Sequence, residues 1–537
     1  MDLFDRPSFK RIARRRLVGE DLTRNAINFS RKIAVCDVVL DRAWTFAEFE
    51  RRVNWVAQGL RARYGLAPGA RMGLLGRNYL DTLTLYYAAS RIGAVTVPLN
   101  YRANADELAF VLDDCTPALI AVATELAPTL DRRLTTGRRV ITYGDERGDD
   151  DLARLVGTGP AEAPDLDLDE WAPAYIMYTG GTTGRPKGVV QAQANYVALA
   201  DNQLAALAPL GFGRTDSYLQ STPLYHGGGW ALSMAFLRYG LTVHVMREFE
   251  TDPAIAELAS GRVSFTWFVP TMSRRIVDRI AEAGGSDARF DAVRFIISAG
   301  APLDPTLREE MKRLFRRARV INVVGQTEVT STVIALSELR DLAAKADAVG
   351  LPVPGITIAI LDERGAPLPP GEVGELCYRG DQLMLGYWNK PEQTAAALAG
   401  GWFHSGDLAK TDDDGTIFLV GRKKEIIISG GVNIVPNEIE DVIRSVAGVA
   451  DACVVGLADA EWGERVHAVV ALVPGAPADA AQNVKAHCRR ALSGYKQPKG
   501  WSFVDRLPVS PVGKVDKAKV RAIAAGTAQR LVGSLEC

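Results

Sequence analysis

Residues 178–188 read Tyr-Thr-Gly-Gly-Thr-Thr-Gly-Arg-Pro-Lys-Gly. Gly180, Gly181 and Gly184 permit positive φ and close backbone approach, so successive N–H groups can turn inward around an anion. Thr179, Thr182 and Thr183 add hydroxyl donors, and Arg185 and Lys187 add charge-assisted contacts. The apolar run Ala174-Tyr175-Ile176-Met177 just before them reads as a buried strand. A strand that runs into a phosphate-cradling loop is the arrangement of a nucleotide-binding α/β protein. A flexible surface turn is the alternative, and Thr-Thr beside Pro-Lys speaks against it. The loop is not the common P-loop, which needs Gly-Lys followed by Ser or Thr at a helix start. Here Gly184 is followed by Arg185 and Pro186, and a proline disrupts a helix interior.

The segments around this loop follow the same α/β grammar. Residues 71–75, 94–98 and 118–122 read as strands, with helices over 81–92 and 106–113 between them. Strand–helix alternation predicts a parallel sheet with helices on both faces. The pattern recurs with strands at 242–245, 265–269, 295–298 and 320–323. Beyond about residue 350 the texture becomes that of hairpins: 356–361, a turn at 362–365, then Pro369-Pro370-Gly371, with Asp412 to Gly415 as a further hairpin turn. From about 425 mixed α and β returns. The expected organisation is residues 1–420 as a large domain of doubly wound sheets with a small β-rich subdomain, 421–424 as a hinge, and 425–537 as a small, mobile α+β domain.

The bulk numbers narrow the class. A chain of 537 residues exceeds one ordinary core, at roughly 150 residues per domain. With 47% hydrophobic and 24% charged residues it reads as soluble and globular. A net charge of −1 gives no footprint for nucleic acid or an anionic membrane. Cys36, Cys115, Cys377, Cys453, Cys488 and Cys537 are scattered without a Cys-x-x-Cys pair, which fits a reducing cytoplasm better than a zinc site or disulfide framework. No apolar stretch reaches the ~20 residues of a membrane span. Arg11 and Arg14 to Arg16 have no apolar core after them, so they read as a solvated face and not as a secretory signal.

Further motifs complete a constellation. Gly325-Gln326-Thr327-Glu328 sets a hydroxyl and a carboxylate side by side; a carboxylate beside a phosphate would be tolerable only with a divalent cation between them. Ser405-Gly406-Asp407 offers a carboxylate that accepts two hydrogen bonds and donates none. Arg422-Lys423-Lys424 and the late Lys514, in Pro508-Val509-Ser510-Pro511-Val512-Gly513-Lys514, supply cations.

In number and order these motifs resemble those of the adenylate-forming superfamily: acyl-CoA synthetases, carrier-protein adenylation domains and luciferases. The loop at 178–188 is similar to its nucleotide-phosphate loop, with Gly180 where most members have Ser. The resemblance implies an enzyme that activates a carboxylic acid with MgATP as an acyl-adenylate, releases pyrophosphate, and transfers the acyl group to coenzyme A with release of AMP. It implies that Thr327 contacts the α-phosphate, that Glu328 holds Mg²⁺, and that Gly300, Ala301 and Pro302, together with Gln326, border the adenine, Val324 standing where an aromatic stacker is usual. Asp407 and Arg422 would bind the ribose, Lys424 would be the hinge, and Lys514 would bridge carboxylate and α-phosphate. Gly430 and Gly431 would form the thiol passage, and Trp462 resembles an aromatic that packs on CoA in some aryl-CoA ligases. Tyr225 and His226 resemble an aromatic–His pair beside the acyl pocket.

For the acid itself, Gly227 to Gly229 suggest a roomy or deep cavity, with Tyr225, Gly228, Trp230, Val269, Pro270 and Ala299 as its walls, and the resemblance to long-chain fatty-acyl ligases implies Trp230 as a tunnel gate. The segment Trp267 to Thr271 adds apolar wall. No Arg or Lys lies between Leu219 and Phe236, which disfavours a second carboxylate on the acid. A medium- or long-chain fatty acid leads, an aromatic acid follows, and loading of a carrier protein is the third reading. The expected partners are these small molecules, with a homodimer as a candidate assembly.

Overall fold

The computed structural model describes residues 16–40, 42–144, 148–179, 186–284, 290–300, 303–335, 345, 348–429, 432–459, 462–509 and 515–526. The chain forms two compact units, residues 1–357 with 379–403, and residues 358–378 with 404–537.

The first unit carries two sheets. In one, Arg139–Tyr143, Leu119–Ala123, Arg71–Leu75, Val95–Leu99 and Pro173–Thr179 lie side by side and parallel. Two antiparallel strands, Lys187–Ala192 and Gly386–Tyr387, extend it. Every residue of Val95–Leu99 and Leu119–Ala123 is buried. That is why they read as unbroken apolar runs: helices cover both faces of a parallel sheet. Helix Leu80–Arg91 is buried along its whole length. Helix Phe46–Ala62 starts at a reciprocal Thr45–Glu48 capping box, which satisfies two otherwise orphaned N–H groups.

The second sheet of this unit has the order Leu351–Pro352, Ser331–Ala335, Arg319–Gln326, Phe295–Ser298, Phe265–Phe268, Ser217–Gln220, Thr242–Val245, Ile33–Asp37, Ala43–Thr45. Its centre is parallel and both of its edges are antiparallel. The strand–helix alternation read from the sequence is therefore the architecture of this unit.

The second unit holds a four-stranded sheet, Thr357–Leu361, Gly374–Arg379, Phe403–Thr411 and Ile417–Arg422, with the expected turn at Asp412–Gly415 closed by Gly415 N–H on the Asp412 carbonyl. A five-stranded sheet follows, built on the long hairpin Val449–Asp459 and Gly463–Leu472. Alternate residues of this hairpin feed two apolar clusters, Val454, Val466, Ala468 and Val470 on one face and Cys453, Val455, Val469 and Ala471 on the other. Helices Pro436–Arg444 and Ala480–Ala491 cover the first face and Lys517–Ala524 the second, so both faces are dry. Among the described residues no helix is long and apolar enough to cross a membrane.

Candidate active site

In the first unit, Thr179 closes its strand opposite Lys187, so the two ends of the 178–188 stretch face each other across a ladder. Gly180, Gly181, Thr182, Thr183, Gly184 and Arg185 lie outside the described residues. Tyr178 donates its hydroxyl to Asp114, which anchors the strand end from which the loop departs. The Lys187 ammonium sits 4.7 Å from the centroid of the Tyr387 ring.

Thr327 and Glu328 emerge from strand Arg319–Gln326 on a single turn of 3₁₀ helix, Thr327–Val329. The chain then folds straight back, pairing Gly325 with Thr332 and Gln326 with Ser331. A Cβ on Gly325 would lie 1.4 Å from the Ser331 carbonyl oxygen, so only glycine permits this closure. Thr330 and Ser331 have φ of 60° and 132°, in a region that L-residues rarely adopt.

Two buried glutamines hold the turn. Gln191 Nε2 donates to the Thr327 carbonyl at 2.6 Å, and Gln382 Nε2 donates to the carbonyls of Val329 and Thr332 at 3.0 and 2.7 Å. Met384 N–H donates to the Glu328 carbonyl at 2.8 Å, and the Tyr387 hydroxyl donates to Glu328 Oε1 at 3.0 Å. Among the described residues the partly buried Glu328 carboxylate is bonded through Oε1 alone, and Thr327 directly precedes it in the chain. Hard oxygen donors at one turn fit Mg²⁺.

His226 caps helix Gly227–Arg238 at its N-terminus, its ring 4.4 Å from that of Tyr225, which in turn meets Tyr101 edge-on at 5.5 Å. Burial pushes the Tyr225 phenol up to about 12, so it stays neutral. The three glycines after His226 bring surfaces together and do not open the expected roomy cavity. A Cβ on Gly229 would stand 2.4 Å from the Pro223 carbonyl oxygen, and one on Gly228 would stand 2.3 Å from Trp267 Cη2. The space over Gly228 is filled by the Trp267 indole. A Cβ on Gly227 would contact Thr327 Cγ2 at 3.9 Å, which ties this helix start to the Thr-Glu turn.

Beside it runs an apolar slot. Phe265 and Trp267, Ile297 and Ala299, and Ile321 and Val323 line it from three neighbouring strands, each pair two residues apart and so on one face of the sheet. Leu207 and Leu232 close it from the helices, and Gln203, Ser331 and Thr332 bring polar atoms. Its empty volume, open mouth included, is about 480 Å³. It is a narrow slot. The buried Trp267 indole N–H has no hydrogen-bond partner among the described residues.

Trp230 lies elsewhere. It is fully buried, stacked on Tyr86 at 4.3 Å and surrounded by Tyr87, Tyr175 and Tyr196, and it is absent from the slot's lining. Its ring points to the core between sheet and helices, so the indole that faces the slot is Trp267. Val269 and Pro270 begin helix Pro270–Glu282 and also fall outside the lining, with Val269 3.4 Å from a Cβ built on Gly300. Gly300 has φ of +88°. Ala301 and Pro302 lie outside the described residues.

In the second unit, Asp407 and Arg422 are ladder partners on adjacent strands, and Arg422 Nε meets Asp407 Oδ1 at 2.5 Å. The Asp407 carboxylate is 8% exposed and the Arg422 side chain 50%, so the pair presents a buried acceptor behind an accessible cation. Glu375, which sequence reasoning missed, clasps this turn. Its Oε1 accepts from Gly406 N–H at 3.1 Å, and its Oε2 accepts from Lys423 Nζ at 2.9 Å and contacts His404 Nδ1 at 3.2 Å. Burial pushes the Glu375 carboxyl up, but the bonds from Lys423 and His404 outweigh it and hold the group below its usual value. Cys377 Sγ lies 3.5 Å from His404 Nδ1, and burial raises that thiol to about 12. Glu375, Cys377 and His404 present ligand atoms within 4.8 Å of one another, and Lys423 already pairs with the carboxylate. The group reads as a hydrogen-bonded clasp on the Ser405–Asp407 turn.

Lys424 is exposed in the short turn Lys423–Glu425. Trp462 is 44% exposed, with the Lys499 ammonium 5.6 Å from its ring. Gly430, Gly431 and Lys514 lie outside the described residues. Gln191, Gln203, Gln382 and Tyr387 escaped sequence reasoning because no local pattern links them to the motifs they touch.

The model of the AMP-binding enzyme family matches residues 22–388, and that of the AMP-binding enzyme C-terminal domain matches 438–514. The chain is 35% identical over 481 residues to a feruloyl-CoA synthase of Amycolatopsis sp, covering 89% of this chain and 94% of that one. It is 31% identical over 510 residues to a long-chain-fatty-acid–CoA ligase of Mycobacterium tuberculosis, covering 94% and 98%. Among solved structures, ATP-bound MatB from Rhodopseudomonas palustris superposes with a TM-score of 0.83 at 29% identity, over 94% of this chain and 98% of that one. With two sheets of the expected grammar, the Thr-Glu turn in place and this similarity along nearly its whole length, the chain belongs to the AMP-binding enzyme family, in its acyl- and aryl-CoA ligase branch.

Proposed function

We propose that this enzyme is an aryl-acid–CoA ligase whose acid carries an oxygen substituent on its ring. ATP, Mg²⁺ and coenzyme A are its co-substrates and metal. The slot beside the Thr327–Glu328 turn carries the choice of acid. It extends back along the strands by two residues, from Ala299, Trp267 and Val323 to Ile297, Phe265 and Ile321, which is about 7 Å. That depth suits one aromatic ring and is far short of an extended long-chain acyl group. Phe265 and Trp267 offer ring faces and edges for stacking. The unpaired Trp267 N–H, with the Gln203 amide and the Ser331 hydroxyl, favours an acceptor oxygen on the ring, because a buried donor left unmatched costs about 1–3 kcal/mol. Of the two acid classes that the sequence leaves open, the slot favours the aromatic one over the fatty acid.

The proposed reaction has two steps. A carboxylate oxygen attacks the α-phosphorus of ATP, the bond to the bridging oxygen breaks, and pyrophosphate leaves. The CoA sulfur then attacks the acyl carbon, AMP leaves, and the thiol proton passes to water. Thr179, Thr182, Thr183, Gly180, Gly181, Gly184 and Lys187 would hold the β- and γ-phosphates, and Thr327 the α-phosphate. Glu328 would hold Mg²⁺, which neutralises triphosphate charge when bound. His226, at a helix N-terminus, would orient the acid's carboxylate. Gly300, Ala301, Pro302 and Gln326 would border adenine, and Asp407 with Arg422 the ribose. Lys514 would bring a cation to the reacting oxygens, worth most where water is excluded. We keep Lys424 as the hinge of a mobile domain 425–537, with Gly430, Gly431 and Trp462 on the thiol's approach, as part of the same proposal.

Purified protein with MgATP, CoA and a mixed panel of hydroxylated, methoxylated and plain aryl acids and C6–C16 fatty acids tests it, with thioesters read by mass spectrometry. Oxygenated aryl-CoA products support the reading. Preferred fatty acyl-CoA would overturn the acid class, and AMP without thioester would point to a carrier-protein acceptor.

A further inference from the structure

Tyr387 belongs to neither the phosphate loop nor the Thr-Glu motif, yet it touches both. Its backbone pairs with Val189 in the antiparallel ladder that extends the first sheet. Its ring lies under the Lys187 ammonium, and its hydroxyl donates to Glu328 Oε1. The ring is partly buried and fixed by its strand pairing, so the hydroxyl is held at 3.0 Å from Glu328 Oε1. Lys187 and Glu328 are the basic and acidic groups that one phosphate chain with its cation must meet. Two such side chains side by side would collapse into an ion pair and present neither charge. The aromatic ring stands between these roles: Lys187 meets a π face, and among the described residues the Glu328 carboxylate is bonded through Oε1 alone.

We infer that Tyr387 is a positioning residue, which fixes the Glu328 carboxylate through Oε1 so that Oε2 faces the divalent cation and keeps Lys187 apart from it. This rests on the reading of Glu328 as the metal-binding carboxylate. The backbone supports the same reading. Gln382 and Met384, on the segment leading to Tyr387, hold the carbonyls of Glu328, Val329 and Thr332. The Asn202 amide holds the Gln382 side chain in turn, donating to Gln382 Oε1 at 2.8 Å. Thr330 and Ser331, with positive φ, lie between the Val329 and Thr332 carbonyls that Gln382 holds.

Tyr387→Phe removes only the hydroxyl, while Tyr387→Leu also removes the platform under Lys187. The readouts are binding of Mn²⁺ in the presence of a non-hydrolysable ATP analogue, by electron paramagnetic resonance, and the Mg²⁺ dependence of pyrophosphate exchange. In Tyr387→Phe the half-saturating metal concentration should rise about ten-fold by both readouts. The KM for the acid and thiol transfer from supplied acyl-adenylate should not change. Tyr387→Leu should in addition raise the KM for ATP. Unchanged metal dependence in Tyr387→Phe, with only a lower Tm, would show the hydroxyl to be merely structural and overturn the inference. Glu328→Gln distinguishes the two levels: if it too leaves metal binding unchanged, the assignment of Glu328 fails and not only that of Tyr387.

Discussion

Gly228→Ala adds one methyl group where the Trp267 ring now stands. The new Cβ would lie 2.3 Å from Cη2 and 2.6 Å from Cζ3 of that ring. Restoring an ordinary carbon–carbon contact of ~3.5 Å moves the ring by about 1.2 Å, and the empty side is the slot. The ring then occupies volume that the acid needs. Overpacking of this kind costs about 1–3 kcal/mol. If that cost falls on the bound acid, kcat/KM for aryl acids drops about 5- to 150-fold. The protein itself should lose little stability if the displaced ring moves into the empty slot and not into packed core. The assay is steady-state thioester formation over a series of aryl acids of increasing width, with the KM for ATP measured in parallel. The loss should grow with substrate width, spare the KM for ATP, and be relieved in Gly228→Ala/Trp267→Phe, where the indole's second ring is gone. A uniform loss across acids and ATP, or none at all, would refute the placement of Trp267 in the acid's wall.

Trp230→Phe separates core from pocket: the fully buried indole stacked on Tyr86 should give up about 1–3 kcal/mol of stability, seen as a lower Tm, with the acid's kcat/KM unchanged. In the second unit, burial, with Arg465 adding to it, lowers His467 to about 4, and its Nε2 lies 3.0 Å from Ser502 Oγ. The unfolded chain takes up this proton near pH 6.5 and the folded one only near 4. The neutral form's contribution is therefore complete above about 6.5 and lost as pH falls towards 4. Tm should decline across that window, and His467→Gln should flatten the decline; an identical acid limb in the variant would sink the assignment. Lys514→Ala should slow pyrophosphate exchange by about 10²- to 10³-fold and largely spare thiol transfer from supplied acyl-adenylate, and equal losses in both half-reactions would contradict separate roles.

What the sequence disclosed, and what it withheld, follows from how locally each feature is encoded. Strand Phe295–Ser298 is a short, largely apolar run with every residue buried, and the chain spells it out with the right ends. The Thr-Glu turn is also legible, since Gly325, Thr327 and Glu328 are contiguous and each has a chemical reason to be there. The acid slot is not. Its walls come from residues 203–207, 232, 265–267, 297–299, 321–323 and 331–332, and they meet only because sheet order sets those strands side by side. The two tryptophans show the limit most sharply. Helix Gly227–Arg238 is buried on every side, and Gly228 alone among its residues is not fully covered, so periodicity assigns no inward direction to Trp230. A strand gives a firmer rule, since alternate residues share a face: Phe265 and Trp267 must point together, as must Ile297 with Ala299 and Ile321 with Val323. The glycine that seemed to open a cavity next to Trp230 is instead the seat on which Trp267 rests. Enzyme class is thus written in contiguous motifs, while choice of acid is written in strand register, and the two are read by different means.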